Sequence, residues 1–98
     1  MAFLTAKEAI EKIVDVFLEN ETVEVFIQSP AFTLRHMIDA VSCEERGDDL
    51  YIECENDESF LIRFSGMKFF VEKNGEDLPD TYGLLYLSGV KIGITPIP

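Results

Sequence analysis

From residue 41 to residue 64 the chain alternates apolar and polar side chains at period two, and two short clusters of turn formers break the alternation. Period two is the period of a strand, whose successive side chains point to opposite faces. Residues 41–46 lead into Gly47-Asp48, then residues 50–54, then Asn56-Asp57-Glu58, then residues 59–64. A two-residue turn at Gly47-Asp48 sets Cys43 opposite Ile52 and Glu45 opposite Leu50. Leu50, Ile52 and Cys54 then share a core face, Tyr51, Glu53 and Glu55 take the other, and Phe60, Ile62 and Phe64 point inward from the returning strand. The pattern predicts a three-stranded antiparallel meander.

The flanks add a helix and further strands. Thr5 and Glu8 have capping-box spacing, and Ala6, Ile10, Ile13, Val14 and Phe17 form one apolar stripe at helical steps. Residues 23–28 alternate Val23, Val25 and Ile27 with Glu24, Phe26 and Gln28, which reads as a strand. Ser29-Pro30 is a helix-start signal, and Leu34, Met37, Ile38 and Val41 follow at helical spacing. The preferred reading is a short second helix over residues 30–40; the alternation of Phe32, Leu34 and Ile38 allows a strand instead. Asn74-Gly75 predicts a hairpin with Val71 opposite Leu78. Ser88-Gly89 predicts another, pairing Leu87 with Val90 and Leu85 with Ile92. It would put Leu85, Leu87, Val90, Ile92 and Ile94 on one apolar face, with residues 90–94 as a free edge and Pro96 and Pro98 ending the strand. The expected fold is α+β. One N-terminal helix, and a second short one, pack on an antiparallel, meander-rich sheet or half-open barrel, as a single domain over residues 1–98.

Composition matters where charge is concerned. The formal net charge is −11, yet an apolar fraction of 47% argues for a folded core rather than disorder. Residues 44–58 hold eight acids against Arg46, a net −7, while the rest of the chain holds eleven acids and seven bases, a net −4. The imbalance is therefore local. It disfavours direct binding to nucleic acid and to anionic membranes, and favours a basic partner or a cation. No stretch approaches the ~20 apolar residues of a membrane span. Residues 1–5 lack a basic n-region, and the two cysteines make no disulfide framework. The expectation is a soluble, cytoplasmic protein in a reducing compartment.

Within the acidic segment, calcium would need carboxylates at loop spacing around a glycine with a Glu at the twelfth position, and neither residues 44–57 nor residues 74–80 show that pattern. A face mimicking DNA would need carboxylates spaced like phosphates. On a strand, Glu53 and Glu55 would lie about 6.6–7 Å apart on one face, though Arg46 interrupts the row beside them. The competing reading is a solvated sheet face whose acidity serves solubility and discourages edge-to-edge aggregation. Tyr51, placed between Glu44 and Glu53, would supply apolar contact to a partner or merely pack across strands, and Tyr82 and Tyr86 lie near the C-terminal hairpin.

Other constellations are thinner. Cys43 and Cys54 fall on one face of adjacent strands but form no CxxC motif, so they read as small buried thiols with a redox pair as the alternative. With His36 they still fall short of the four ligands of a structural zinc site. His36 is the only histidine and has no nucleophile in motif context. Of the six glycines, Gly83 and Gly93 alone do not fit turns, and no phosphate-binding glycine motif occurs. The resulting expectation is a small acidic non-enzymatic binding protein, without metal or cofactor. It would act as a stoichiometric inhibitor or DNA mimic, docking to a basic protein such as a nucleic-acid-binding one. The residues assigned to that surface are Glu44, Glu45, Asp48, Asp49, Tyr51, Glu53, Glu55, Asp57 and Glu58. The alternative is a self-associating accessory subunit, a homodimer through the C-terminal hairpin edge, with the charge serving solubility only.

Overall fold

A computed structural model of the chain describes residues 5–97. The expectations for residues 1–4 and for Pro98 lie outside them. The element order is one helix, α1 (Ala6–Glu19), then β1 (Val23–Gln28), β2 (Thr33–Ile38), β3 (Ala40–Arg46), β4 (Asp49–Cys54), β5 (Ser59–Arg63), β6 (Met67–Glu72), β7 (Thr81–Tyr86) and β8 (Lys91–Pro96). All strand pairs are antiparallel. They form a five-stranded sheet in the order β2-β1-β8-β7-β6 and a three-stranded sheet β3-β4-β5. The fold is α+β, as expected, with one helix packed on two sheets that do not close into a barrel.

The capping box of α1 forms as read. Glu8 N donates to Thr5 Oγ1 at 3.2 Å, and Thr5 N donates to Glu8 Oε1 at 3.3 Å. Such a cap contributes about 1 kcal/mol. Asn20 closes the other end by donating its side-chain amide to the Val16 carbonyl at 2.8 Å. The helix contacts β3 and β8 and buries Ala9, Ile10, Ile13, Val16 and Phe17 between the inner faces of the two sheets. There they meet Val23, Val25 and Ile38 from one side and Leu50, Ile52, Ile62 and Phe64 from the other.

The expected second helix is a strand. Ser29 does act like an N-cap: its hydroxyl accepts from Ala31 N at 3.2 Å and Phe32 N at 3.1 Å. But Ser29 N also donates to the Phe32 carbonyl at 2.8 Å, which turns the chain back, and residues 33–38 pair with β1 in register from Gln28↔Thr33 to Val23↔Ile38. The same hydroxyl chemistry serves a helix start and a tight turn, and pairing with β1 decides between them.

β2 passes into β3 through Asp39 alone. A bulge between Ala40 and Ser42 bends the chain from one sheet to the other. The Asp39 carboxylate accepts from Thr22 Oγ1 at 2.6 Å, and its carbonyl accepts from Glu55 N at 3.2 Å. The 41–64 meander follows the expected register, with Cys43↔Ile52 and Glu45↔Leu50.

The other two hairpins depart from expectation. Val71 faces Tyr82, not Leu78, across an eight-residue connection over residues 73–80. Asn74 spends its side-chain amide on the Pro79 carbonyl and Thr81 Oγ1, at 2.8 and 2.9 Å, and Lys73 pairs with Asp80 at 2.8 Å. In the C-terminal hairpin, Tyr86 N donates to the Val90 carbonyl, so residues 87–89 form a three-residue loop. Leu85 then faces Lys91, and Leu84 faces Ile92. That one-residue slip reverses the faces of β7: Leu84 is buried in place of Leu85, and Leu87 is 93% exposed, while Ile92 and Ile94 keep the inward face expected of them. Nor is β8 a free edge, since it lies between β1 and β7; among the described residues the sheet edges are β2, β6, β3 and β5. Self-association by strand addition would have to use one of those.

Gly83 and Gly93 find their reason on the outer face of the five-stranded sheet. The Phe70 ring lies across Gly83 and the Phe26 ring across Gly93, so a Cβ at either position would overlap a ring. Lys91 Nζ sits over both rings, at 5.1 and 5.8 Å from their centroids.

Candidate functional site

β5 is tied to the larger sheet at both ends. Just before it, Glu58 Oε2 lies 2.9 Å from His36 Nε2 of β2. At its far end the Tyr86 hydroxyl of β7 donates to the Arg63 carbonyl. The strand therefore crosses the inner face of the five-stranded sheet from β2 toward β7. On the side that α1 does not reach, a cavity of about 540 Å³ opens between β5 and that sheet, a volume in the range of ligand sites.

The walls follow from strand register. Leu34, Ile27 and Ile92 are direct cross-strand neighbours and form an apolar row; Val25 and Ile38 continue it. Opposite stand Ile52 of β4 and the consecutive residues Glu58, Ser59, Phe60, Leu61 and Ile62. Consecutive lining residues mean that β5 turns its backbone edge, not just one face, to the groove. Leu34 and Leu61 remain 57% and 50% exposed at its rim.

Its charged chemistry is sparse. Arg35 borders the groove, but its guanidinium is held 2.9 Å from Glu24 Oε1 and over the Phe26 ring, on the outer face. What remains is the His36–Glu58 pair, with the imidazole tilted against Phe60 at 5.9 Å. A base and an orienting carboxylate are two parts of a nucleophilic triad. No hydroxyl or thiol hydrogen-bonds His36 among the described residues. Nor, among those residues, do three His, Cys, Asp or Glu side chains converge as metal ligands would.

The nine residues assigned from the sequence are exposed or half-buried, but they divide among the two faces of the small sheet and the turns at its two ends. Paired residues share a face, so the outer face of the small sheet shows Ser42–Glu53–Ser59, Glu44–Tyr51–Leu61 and Arg46–Asp49–Arg63 as its cross-strand rows. Glu44 is paired with Arg46 at 3.1 Å, and the Arg46 guanidinium covers the Tyr51 ring at 4.1 Å. Tyr51 is thus occupied within the chain. Glu45 shares the inner-face side with Leu50, and Asp48 forms the turn at one end of the sheet. Glu55 and Asp57 lie in the turn at the other end, where Cys54 N donates to the Glu58 carbonyl and Asp57 adopts φ 60°. Glu55 therefore leaves the strand and does not continue a carboxylate row from Glu53. Among the described residues, Glu45, Asp48, Asp49, Glu53, Glu55 and Asp57 form no ion pair.

Cys43 and Cys54 are free thiols, half-buried on the inner face. Burial pushes both up from the ordinary thiol value. Cys54 adds to the shift at Cys43, and Glu58 and Asp39 add to it at Cys54. They are protonated and weakly nucleophilic at neutral pH. Tyr82 packs against Phe69 at 6.3 Å rather than facing solvent.

The groove itself did not emerge from the sequence. The signal was the alternation Leu34, His36, Ile38, which puts His36 in an inward row as soon as residues 33–38 are read as a strand. Among the described residues no helix is long and apolar enough to cross a membrane. No protein-family model matches the chain, and no curated protein sequence matches it.

Proposed function

We propose that the protein is a non-enzymatic binding protein that docks on a basic protein surface through the acidic hairpin of residues 44–58. It acts by occupancy, one molecule per partner site, without turnover. The observation that carries this reading is the set of exposed or half-buried carboxylates that form no ion pair among the described residues: Glu45, Asp48, Asp49, Glu53, Glu55 and Asp57. A partner's Lys or Arg can pair with them without breaking an existing bridge, and their joint field steers a basic partner toward the three-stranded sheet. Glu44 and Tyr51 contribute less, because Arg46 already engages both.

The test is capture from cell lysate at low and moderate salt. Wild type is compared with one variant carrying Glu44→Gln, Glu45→Gln, Asp48→Asn and Asp49→Asn, and a second carrying Glu55→Gln and Asp57→Asn. The reading expects a stoichiometric basic partner held by wild type, weakened by salt because exposed charges are screened over about 8–10 Å, and lost by at least one variant. Identical partner lists for all three proteins would refute it and leave the charge to solubility.

A further inference from the structure

β5 is the terminal strand of the three-stranded sheet, and no strand or other backbone group pairs with its outer edge among the described residues. That edge faces the apolar groove rather than open solvent, since residues 58–62 line it without interruption. Across from it lies the row Leu34, Ile27 and Ile92. Two of the other three edges are guarded as natural sheets guard them. β3 carries a bulge with Glu44, Glu45 and Arg46, and β6 carries charged Lys68 and Glu72. β5 presents Phe60, Leu61 and Ile62 in succession, with no proline and no bulge. Charge is concentrated where β5 begins. Glu58 lines the groove, Asp57 and Glu55 precede it in the turn, and Asp39 is bonded to the Glu55 backbone.

We propose that β5 is a strand-addition site for an extended segment of a partner protein, with alternating apolar side chains and a Lys or Arg at one end. The segment pairs its backbone with β5 as a fourth strand of the small sheet. Its inward side chains seat on Leu34, Ile27 and Ile92, and its cation lies beside Glu55, Asp57 and Glu58. Backbone pairing supplies affinity, and alternate side chains supply selection. A peptide is favoured over a small amphiphile because the groove offers a strand edge with no backbone partner over residues 59–62, up to the Arg63 carbonyl that Tyr86 takes, and over an acidic ligand because the turn at its mouth is acidic. The inference rests on the docking proposal above and names the segment that docks.

The experiment is fluorescence anisotropy of the intact protein with labelled synthetic heptapeptides. The probes are an alternating Lys–Val peptide, its Lys–Ser and Glu–Val counterparts, and two Lys–Val peptides N-methylated on alternate residues in opposite frames. Expected is binding of the Lys–Val peptide, loss in one methylated frame only, and weakening by about tenfold or more with Leu34→Asp, as burial of one apolar side chain implies. Leu34 is more than half exposed, so that variant should fold; circular dichroism verifies it. Equal binding of Lys–Val and Lys–Ser peptides, equal effects of the two methylation frames, or insensitivity to Leu34→Asp would overturn the proposal. So would a groove that takes an apolar dye but no peptide, or a concentration-dependent dimer abolished by Leu34→Asp. If the peptide fails while a basic partner is still captured through the acidic residues, the docking reading stands and this inference alone falls.

Discussion

His36 Nε2 lies 2.9 Å from Glu58 Oε2, joining an edge strand of the large sheet to the turn that opens β5. One side chain from each sheet thus sets the width of the groove at its acidic end. Both are about half exposed, so the bond is worth little to global stability, about 0–1 kcal/mol. Its effect is local. His36→Ala should leave the denaturation midpoint nearly unchanged while speeding amide hydrogen exchange along β5 and β2. A uniform rise in exchange across both sheets would show instead that the pair supports the whole fold.

The outer aromatic face gives a sharper energetic test. Gly83→Ala forces a methyl group into the Phe70 ring, and Gly93→Ala into the Phe26 ring. Overpacking of this kind costs about 1–3 kcal/mol. Adding Phe70→Ala to Gly83→Ala should recover part of the loss, so the double-mutant cycle by urea denaturation should show coupling between the two positions. Additive effects would mean that the ring moves aside freely.

Core and surface apolar side chains should behave oppositely. Phe17 is 1% exposed beneath both sheets, so Phe17→Ala should cost about 3–5 kcal/mol. Leu87, in the three-residue loop, is 93% exposed, and Leu87→Ser should change stability by about 0.5 kcal/mol or less. A Leu87→Ser loss as large as that at a core position would contradict the hairpin register.

Stability should decline on the alkaline side. Burial raises Cys43, Cys54 and Tyr86 above their ordinary values of 9.0 for the thiols and 10.0 for the phenol; Asp49 adds to the shift at Tyr86. Each group holds its proton more tightly folded than unfolded. The stability it lends is complete below the unfolded value and is lost as pH rises through the raised folded value. Urea midpoints should therefore fall from about pH 8.5 upward, less steeply in a Cys43→Ala, Cys54→Ala variant. Alkylation of the native thiols at neutral pH should be slower than that of the unfolded chain.

The parts of the fold legible in the sequence were those where one local signal dominates. The Thr5–Glu8 box and the Gly47-Asp48 turn fixed a helix end and a strand register because nothing distant competes with them. The misreadings arose where one local motif serves two structures. Ser29 offers its hydroxyl to two backbone amides whether a helix or a hairpin follows, and the neighbour β1 made the choice. Asn74-Gly75 was overruled by the side-chain bonds of Asn74 itself. A one-residue difference in loop length reversed the faces of β7 in the last hairpin and left those of β8 as expected. For the candidate site, the exposure of the acidic residues was readable, but their division among two faces and two turns was not. The groove was less legible still, because it depends on β5 crossing the large sheet, and only contacts between residues far apart in sequence, such as His36–Glu58 and Tyr86–Arg63, make it cross.

The most direct test of the docking account is an isothermal titration of the captured partner against wild type and against a Glu45→Gln, Asp48→Asn, Asp49→Asn, Glu53→Gln, Glu55→Gln, Asp57→Asn variant, each at low and moderate salt. The account predicts one-to-one binding that weakens with salt in wild type, with a lower affinity and a shallower salt dependence in the variant. Equal affinity and equal salt dependence for the two proteins would contradict it.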